Sequence, residues 1–411
     1  PTTSPSPTPT AGPAPTTSPS PTPTAGPAPT TSPSPTNAGT IITVTPARIL
    51  DTRAGLGAPA SPVPAAGTTT LQVTGRGGVP STGVSAVIMN VTATNVRADG
   101  YITVYDGGTR PTVSNLNVEK GSTRANLVTV PVAPDGTVQL FNGTKGTLDL
   151  VADVQAWVSD GTVEGSRFQP TTPDRLLDTR TTGQTVPAGG SVRVKARGAV
   201  TGSEAATAAY VNLTAVANKS AGYVTAYPTG SARPMVSNLN TDGQTVANLA
   251  LVPVGADGTI TLYNGTRRPL DLLADLQGFL TPVGVAGDRL VVFSPSRVYD
   301  SRVLATPLTQ RSSTTVDLSR LAPRATGTGG RTRVAVMSNI TVVDPDGAGY
   351  LTSYPAGQAL PPVSNVNVSG GEVLPNAAVI PLGSSGNIAV YNGTRGNTHL
   401  VVDVQGWFVR D

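Results

Sequence analysis

The chain of 411 residues has no cysteine, a single histidine and few aromatic residues. Without cysteine there is no disulfide frame, no thiolate nucleophile and no cysteine-ligated metal. With His399 alone, an imidazole can act in at most one place. Glutamate is almost as scarce, and Glu119, Glu164, Glu204 and Glu372 stand at unrelated positions. No run of 18 apolar residues occurs, so no membrane span is expected. Charged residues make up only 13% of the chain. The 28 basic residues are mostly arginine, scattered without a run, and leave a net charge of +4. A nucleic-acid binder clusters such residues on one face, so no nucleic-acid partner is expected. No cofactor or metal set is legible either.

Glycine (46) and proline (38) abound instead, which argues against long helices. Proline is densest at the start. The string PTTSPSPTPTAGPA occurs twice in succession, then a truncated copy ends at Thr36. This stretch carries no charge and has almost nothing to bury, so it cannot offset the entropy of ordering. Residues 1–39 are therefore expected to be a disordered or polyproline-II-like linker, with serine and threonine open to glycosylation. The chain starts at Pro1 with no visible signal peptide, which reads as a fragment with a further domain upstream.

From residue 40 the chain repeats itself three times. The copies read ARILDTR, DRLLDTR and SRVYDSR, then MNVTA, VNLTA and SNITV, then GYITVY, GYVTAY and GYLTSY. VSNLN, VSNLN and VSNVN follow, then FNGT or YNGT, then DVQAW, DLQGF and DVQGW. A period of 122–128 residues far exceeds a solenoid repeat, so each copy is expected to be a domain with its own core. The expected boundaries are 40–160, 167–281 and 288–411. Their short junctions favour neighbours in contact.

Within a copy, segments of 5–9 residues alternate apolar and polar between turn residues, a strand pattern. Asn-Gly at 142–143, 264–265 and 392–393 is a strong hairpin signal. Pro131, Pro253 and Pro381 interrupt strands that should lie at a sheet edge or carry a bulge. Seven to nine strands per copy suit an antiparallel β-sandwich, jelly-roll-like, or a small barrel. The expected fold is all-β, three such domains in tandem.

Two sets of recurring residues stand out. Asp51 with Arg53, Asp178 with Arg180 and Asp300 with Arg302 suit an ion pair that pins the first strand, or a charged ligand contact. Asparagine is disfavoured in strands, yet recurs there at Asn90, Asn212 and Asn339. It recurs again at Asn115 and Asn117, Asn238 and Asn240, and Asn365 and Asn367. Period 2 aligns Tyr101 with Tyr105, Tyr223 with Tyr227 and Tyr350 with Tyr354. It also aligns Asp153, Gln155 and Trp157, with Asp275 and Gln277, and Asp403, Gln405 and Trp407, in the later copies. Amides, carboxylates and aromatic rings on one face suit sugar, pairing with hydroxyls and covering pyranose faces. In the competing reading, the asparagines bond to neighbouring backbone at turns and bulges, and Trp157, Phe279 and Trp407 close a core or a seam between domains.

Catalysis finds little support. A glycosidase needs two carboxylates at a set separation, and only Asp51 with Asp153 and their counterparts could supply them. His399 has no counterpart, because the other copies carry Asp149 and Asp271 there. A recurring Ser/His or Cys/His nucleophile is thereby excluded.

The combination RLLDTR, GYVTAYPTG, VSNLN, ANLALVPVG, DGTITLYN and DLLADLQGF, behind a Pro/Thr/Ser linker, resembles a repeat module common in secreted and cell-surface proteins of actinobacteria. The resemblance covers the chain from about residue 40. It implies an extracellular accessory unit, of a kind often appended to secreted hydrolases, and it brings no catalytic residues with it. The function expected is a non-catalytic module that anchors a secreted protein to polysaccharide or cell-envelope glycan through three repeated sites. The alternatives are a stalk or self-assembling surface subunit and, third, a hydrolase using the recurring aspartates.

Overall fold

The computed structural model describes residues 38–216, 220–319, 321 and 331–411. The linker expected over residues 1–39 lies outside them up to residue 37. Ala38 and Gly39 are built into the folded body, where Gly39 bridges Leu290.

Each repeat contributes eight strands. In the first they are β1 (Ile41–Asp51), β2 (Thr68–Gln72), β3 (Val84–Thr94), β4 (Gly100–Tyr105), β5 (Leu116–Val118), β6 (Arg124–Pro131), β7 (Thr137–Asn142) and β8 (Asp149–Ser159). The second runs β9 (Arg167–Asp178), β10 (Ser191–Lys195), β11 (Ala208–Ala215), β12 (Ala221–Pro228), β13 (Leu239–Asp242), β14 (Val246–Pro253), β15 (Thr259–Asn264) and β16 (Leu272–Thr281). The third runs β17 (Arg289–Asp300), β18 (Ser313–Val316), β19 (Thr332–Val343), β20 (Gly349–Pro355), β21 (Val366–Val368), β22 (Val373–Pro381), β23 (Ile388–Asn392) and β24 (His399–Arg410). One short helix, α1 (Thr179–Thr182), follows β9.

The strands build six four-stranded antiparallel sheets, two per repeat. In the first repeat the orders are β1-β8-β3-β6 and β2-β7-β4-β5, and the other repeats match them. One apolar core fills each repeat, drawing on both of its sheets. A fourth core belongs to all three repeats together. It joins Ile41, Ile88 and Val158 to Phe168, Tyr210 and Leu280 and to Leu290, Met337 and Phe408. Phe168 and Phe408 stack there at 3.8 Å, with Tyr210 edge-on to both.

This corrects the expected architecture. The described body is an assembly of six small sheets, with the blade count of a six-bladed β-propeller, and not three tandem sandwich or barrel domains: each repeat has a core, but a fourth core is shared by all three. The strand order within each sheet departs from the up-and-down meander of ordinary propeller blades. The overturning observation is the shared core, which needs the outer faces of β3, β11 and β19 at once. Those strands are apolar on both faces because both are covered.

Backbone bridges close the three repeats into a ring. Ile41 bridges Ser166, Phe168 bridges Asp288, and Leu290 bridges back to Gly39. The prolines fall where strand chemistry allows, at the last residue of the edge strands β6 and β14 and of β22. The Asn-Gly pairs do not make hairpins. β7 pairs with β2 and β4 and not with β8. Asn142 itself shapes the turn, its Nδ2 donating to the carbonyls of Val63, Pro64 and Gly146 and its Oδ1 accepting from Thr144 N. Gly143 serves by lacking a side chain, since a Cβ there would meet the Tyr101 ring at 2.5 Å.

Candidate functional site: the seams between repeats

An edge strand leaves alternate N–H groups without a partner, and burial makes that costly. Here β6, β14 and β22 are edges buried against the other two repeats. On β6, Leu127 N donates to Asn248 Oδ1 of the second repeat at 3.2 Å, and Thr129 N donates to Gln405 Oε1 of the third at 3.0 Å. On β14, Leu249 N donates to Asn376 Oδ1 and Leu251 N to Gln155 Oε1. On β22, Ala377 N donates to Asn126 Oδ1 and Val379 N to Gln277 Oε1. Each edge is thus capped by amides from both neighbours, two residues apart, as the strand period requires.

The same asparagines tie the ring together. Asn248 Nδ2 donates to Asn90 Oδ1, Asn376 Nδ2 to Asn212 Oδ1, and Asn126 Nδ2 to Asn339 Oδ1, all at 2.8 Å. Asn90, Asn212 and Asn339 in turn donate to the carbonyls of Ser237, Ser364 and Ser114 in the next repeat. Sequence reasoning named Asn90, Asn212 and Asn339 but missed Asn126, Asn248 and Asn376. Their signal was the recurring Ala-Asn or Asn-Ala step inside a strand.

The structure divides the expected polar-aromatic face. Asn115, Asn238 and Asn365 are buried, each accepting from a backbone N–H of the preceding strand, Val104, Ala226 and Ser353. Asp153, Gln155, Asp275, Gln277, Asp403 and Gln405 are buried at the seams. Trp157 and Trp407 lie in the cores of their repeats. Tyr105 and Tyr227 are half-buried, and Tyr354 is buried with its hydroxyl 2.8 Å from Ser313 Oγ. Tyr101, Tyr223 and Tyr350 keep part of their rings in solvent. They stand directly across from Asn117, Asn240 and Asn367 in the β4–β5, β12–β13 and β20–β21 pairs.

The charged pairs sit beside these seams. Arg53 pairs with Asp51 at 2.7 Å, Arg180 with Asp178 at 2.6 Å and Arg302 with Asp300 at 2.7 Å. A second arginine, missed in the sequence, forks onto the buried aspartate of the same repeat. Arg48 holds Asp153, Arg175 holds Asp275 and Arg297 holds Asp403. Hydrogen bonds from Arg53 and Arg180 hold Asp51 and Asp178 below the ordinary aspartate range. Burial opposes the same effect at Asp300, where Arg302 prevails. Burial pushes Asp153, Asp275 and Asp403 the other way, against the pull of their arginines.

Where the first repeat meets the second, these groups line a groove of about 310 Å³. Arg48, Arg53 and Thr92 come from the first repeat, and Tyr223, Arg233 to Ser237 and Asn240 from the second. Met235 stands at it almost fully exposed. The Thr92 hydroxyl is buried and has no hydrogen-bond partner in the protein. The same holds for Thr214 and Thr341, which take the same register in β11 and β19. Ser237 Oγ holds Asn240 Oδ1, which leaves the Nδ2 end as the donor, and Ser114 and Ser364 hold Asn117 and Asn367 alike.

No known protein-family model matches this chain, and no curated protein matches its sequence. Among the described residues, no group of His, Cys, Asp or Glu is arranged to hold a metal, and no helix is long and apolar enough to cross a membrane.

His399 accounts for itself through its counterparts. Its Nδ1 lies 2.9 Å from Ser301 Oγ, where the other repeats have Thr52 bonded to Asp149 and Thr179 bonded to Asp271. Ser301 is fully buried and also accepts from Leu400 N, as Thr52 does from Leu150 N. The pair latches β24, with Ser301 fully buried and His399 half-buried.

Proposed function

We propose that the chain is a non-catalytic extracellular accessory module that anchors a secreted protein to polysaccharide or cell-envelope glycan through the seams between its repeats. One observation carries this reading. At all three seams a buried threonine hydroxyl lacks a protein partner, and the next repeat sets a tyrosine and an asparagine amide side by side. An unpartnered buried hydroxyl costs stability, so its recurrence in three copies calls for a partner from outside. Tyrosine faces cover pyranose rings, and amides bond to their hydroxyls. Three weak sites on one body gain avidity without tight single contacts. The closed ring suits this role, because capped edges keep the sites at fixed spacing.

A structural role is the second reading, favoured by the use of Asp275, Gln155 and Asn126 as glue between repeats. Sedimentation of the full chain with cell-wall preparations and insoluble polysaccharides tests the two. Co-sedimentation that weakens in the T92V/T214V/T341V variant supports the anchoring module. A chain that binds no preparation yet forms a regular oligomer by light scattering supports the stalk instead.

A further inference from the structure

We infer that the groove between the first and second repeats, and the matching seam between the third and the first, read carboxylates and select uronate-bearing polysaccharide over neutral glycan; this rests on the anchoring role proposed above. In the groove between the first and second repeats, Asp51 and Asp153 neutralise Arg53 and Arg48. Arg233 adds a charge that no carboxylate answers among the described residues. Its guanidinium carbon lies over the Tyr263 ring, 3.7 Å from the centroid. The ring contact positions the guanidinium without a carboxylate partner among the described residues, and such a fork can grip an incoming carboxylate with two parallel hydrogen bonds. Arg53 has one further nitrogen, Nη1, unused by its own pair. A sugar ring fits a cleft of this volume, which is at the small end for ligand sites. Its carboxylate meets Arg233 while a ring hydroxyl reaches Thr92.

The repeats supply an internal control. At the seam between the third repeat and the first, Arg110 takes the place of Arg233 and lies over Phe141 at 3.6 Å. At the seam between the second and the third the position is Leu360, which is exposed. Two seams therefore read charge and one does not.

Calorimetric titration of the full chain with polygalacturonate, and with the same polymer methyl-esterified, tests this at fixed ionic strength. Polygalacturonate is expected to bind about tenfold more tightly than its ester, the worth of one charge-assisted contact. The R110L/R233L variant copies the residue found at the third seam, so its fold is safe. It is expected to bind the two polymers equally. The T92V/T214V/T341V variant removes a buried hydroxyl that has no partner, so it is expected to melt no lower than the wild type while binding both polymers more weakly. If the wild type binds ester and acid alike, or R110L/R233L keeps the preference, charge reading is wrong while the anchoring role stands. If neither polymer binds, the inference falls; binding to wall preparations then decides the anchoring role by itself.

Discussion

Gln155 of the first repeat accepts a hydrogen bond from the Leu251 backbone N–H of the second at 2.9 Å. The bond closes the outward edge of β14, and Gln277 and Gln405 do the same for β22 and β6. Substituting Gln155 with leucine keeps the volume but leaves the Leu251 N–H buried and unpaired. The expected cost is about 1–3 kcal/mol for Q155L, read as a shift in the denaturation midpoint. A smaller loss would mean that water reaches that edge. The triple variant Q155L/Q277L/Q405L should lose more than one seam's worth and broaden the transition, because every repeat then has an open edge.

Phe168 anchors the shared core. It stacks on Phe408 from the third repeat and meets Tyr210 edge-on. Truncation to alanine leaves a cavity that three different repeats would have to refill. A loss of about 3–5 kcal/mol is expected for F168A. The near-equal cost of F408A would show that one core is being measured from two sides.

The ring predicts what a missing repeat does. A fragment ending at residue 285 would keep the cores of the first two repeats but expose Ile88, Leu127, Phe168 and Tyr210. It would also leave Leu249 N without Asn376 and Thr129 N without Gln405. Such a surface joins an apolar patch to two open strand edges, which favours association. Sedimentation should find this fragment self-associated, while the full chain gains nothing from pairing these surfaces. A monomeric, cooperatively folding fragment would show that the shared core is dispensable.

Much of this was readable from residue order, and the unread part has one cause. The threefold repeat, the strands, and the edge position of Pro131, Pro253 and Pro381 follow from periodicity and from what proline cannot donate. Periodicity says which residues share a face but not what covers that face. Asn90 and Gln155 looked like groups awaiting a ligand because their partner is another repeat's backbone, 147 and 96 residues away. A clue was present in β3, where Ala86 and Ile88 on one face and Val87 and Met89 on the other are all apolar. A strand that greasy on both sides is covered on both sides. The groove was legible only in part: Tyr223 and Asn240 were named, whereas Thr92 recurred in MNVTA, VNLTA and SNITV without being singled out, and Arg233 recurs only as Arg110.

Acid should weaken the protein through one set of aspartates. Asp51, Asp178 and Asp300 are held below the ordinary value of 3.8, so their contribution is complete above it and is lost as pH falls through their lowered native values. Asp153, Asp275 and Asp403 have the opposite sign. Their raised values mean that protonation favours the folded state, so they do not drive acid unfolding. The D51N/D178N/D300N variant is expected to be less stable at neutral pH and to show a flatter fall in Tm below about pH 4. An acid limb as steep as the wild type's would assign the effect to other carboxylates.

Ser301 and His399 offer the last test, because a serine 2.9 Å from an imidazole invites a catalytic reading. The ring accepts that pair where the other repeats use a carboxylate on a threonine, and the hydroxyl oxygen already receives the Leu400 N–H. A nucleophile must be reachable, and Ser301 is fully buried. A fluorophosphonate probe is therefore expected to leave Ser301 unmodified in intact-mass measurements. Replacing His399 with aspartate restores the arrangement of the first two repeats, in which the acceptor is a carboxylate. H399D should fold with a Tm close to the wild type's, whereas H399A should lose about 1 kcal/mol as the Ser301 hydroxyl loses its partner. Probe labelling that disappears in H399D would overturn the structural assignment, since a latch would survive that exchange and a nucleophile would not.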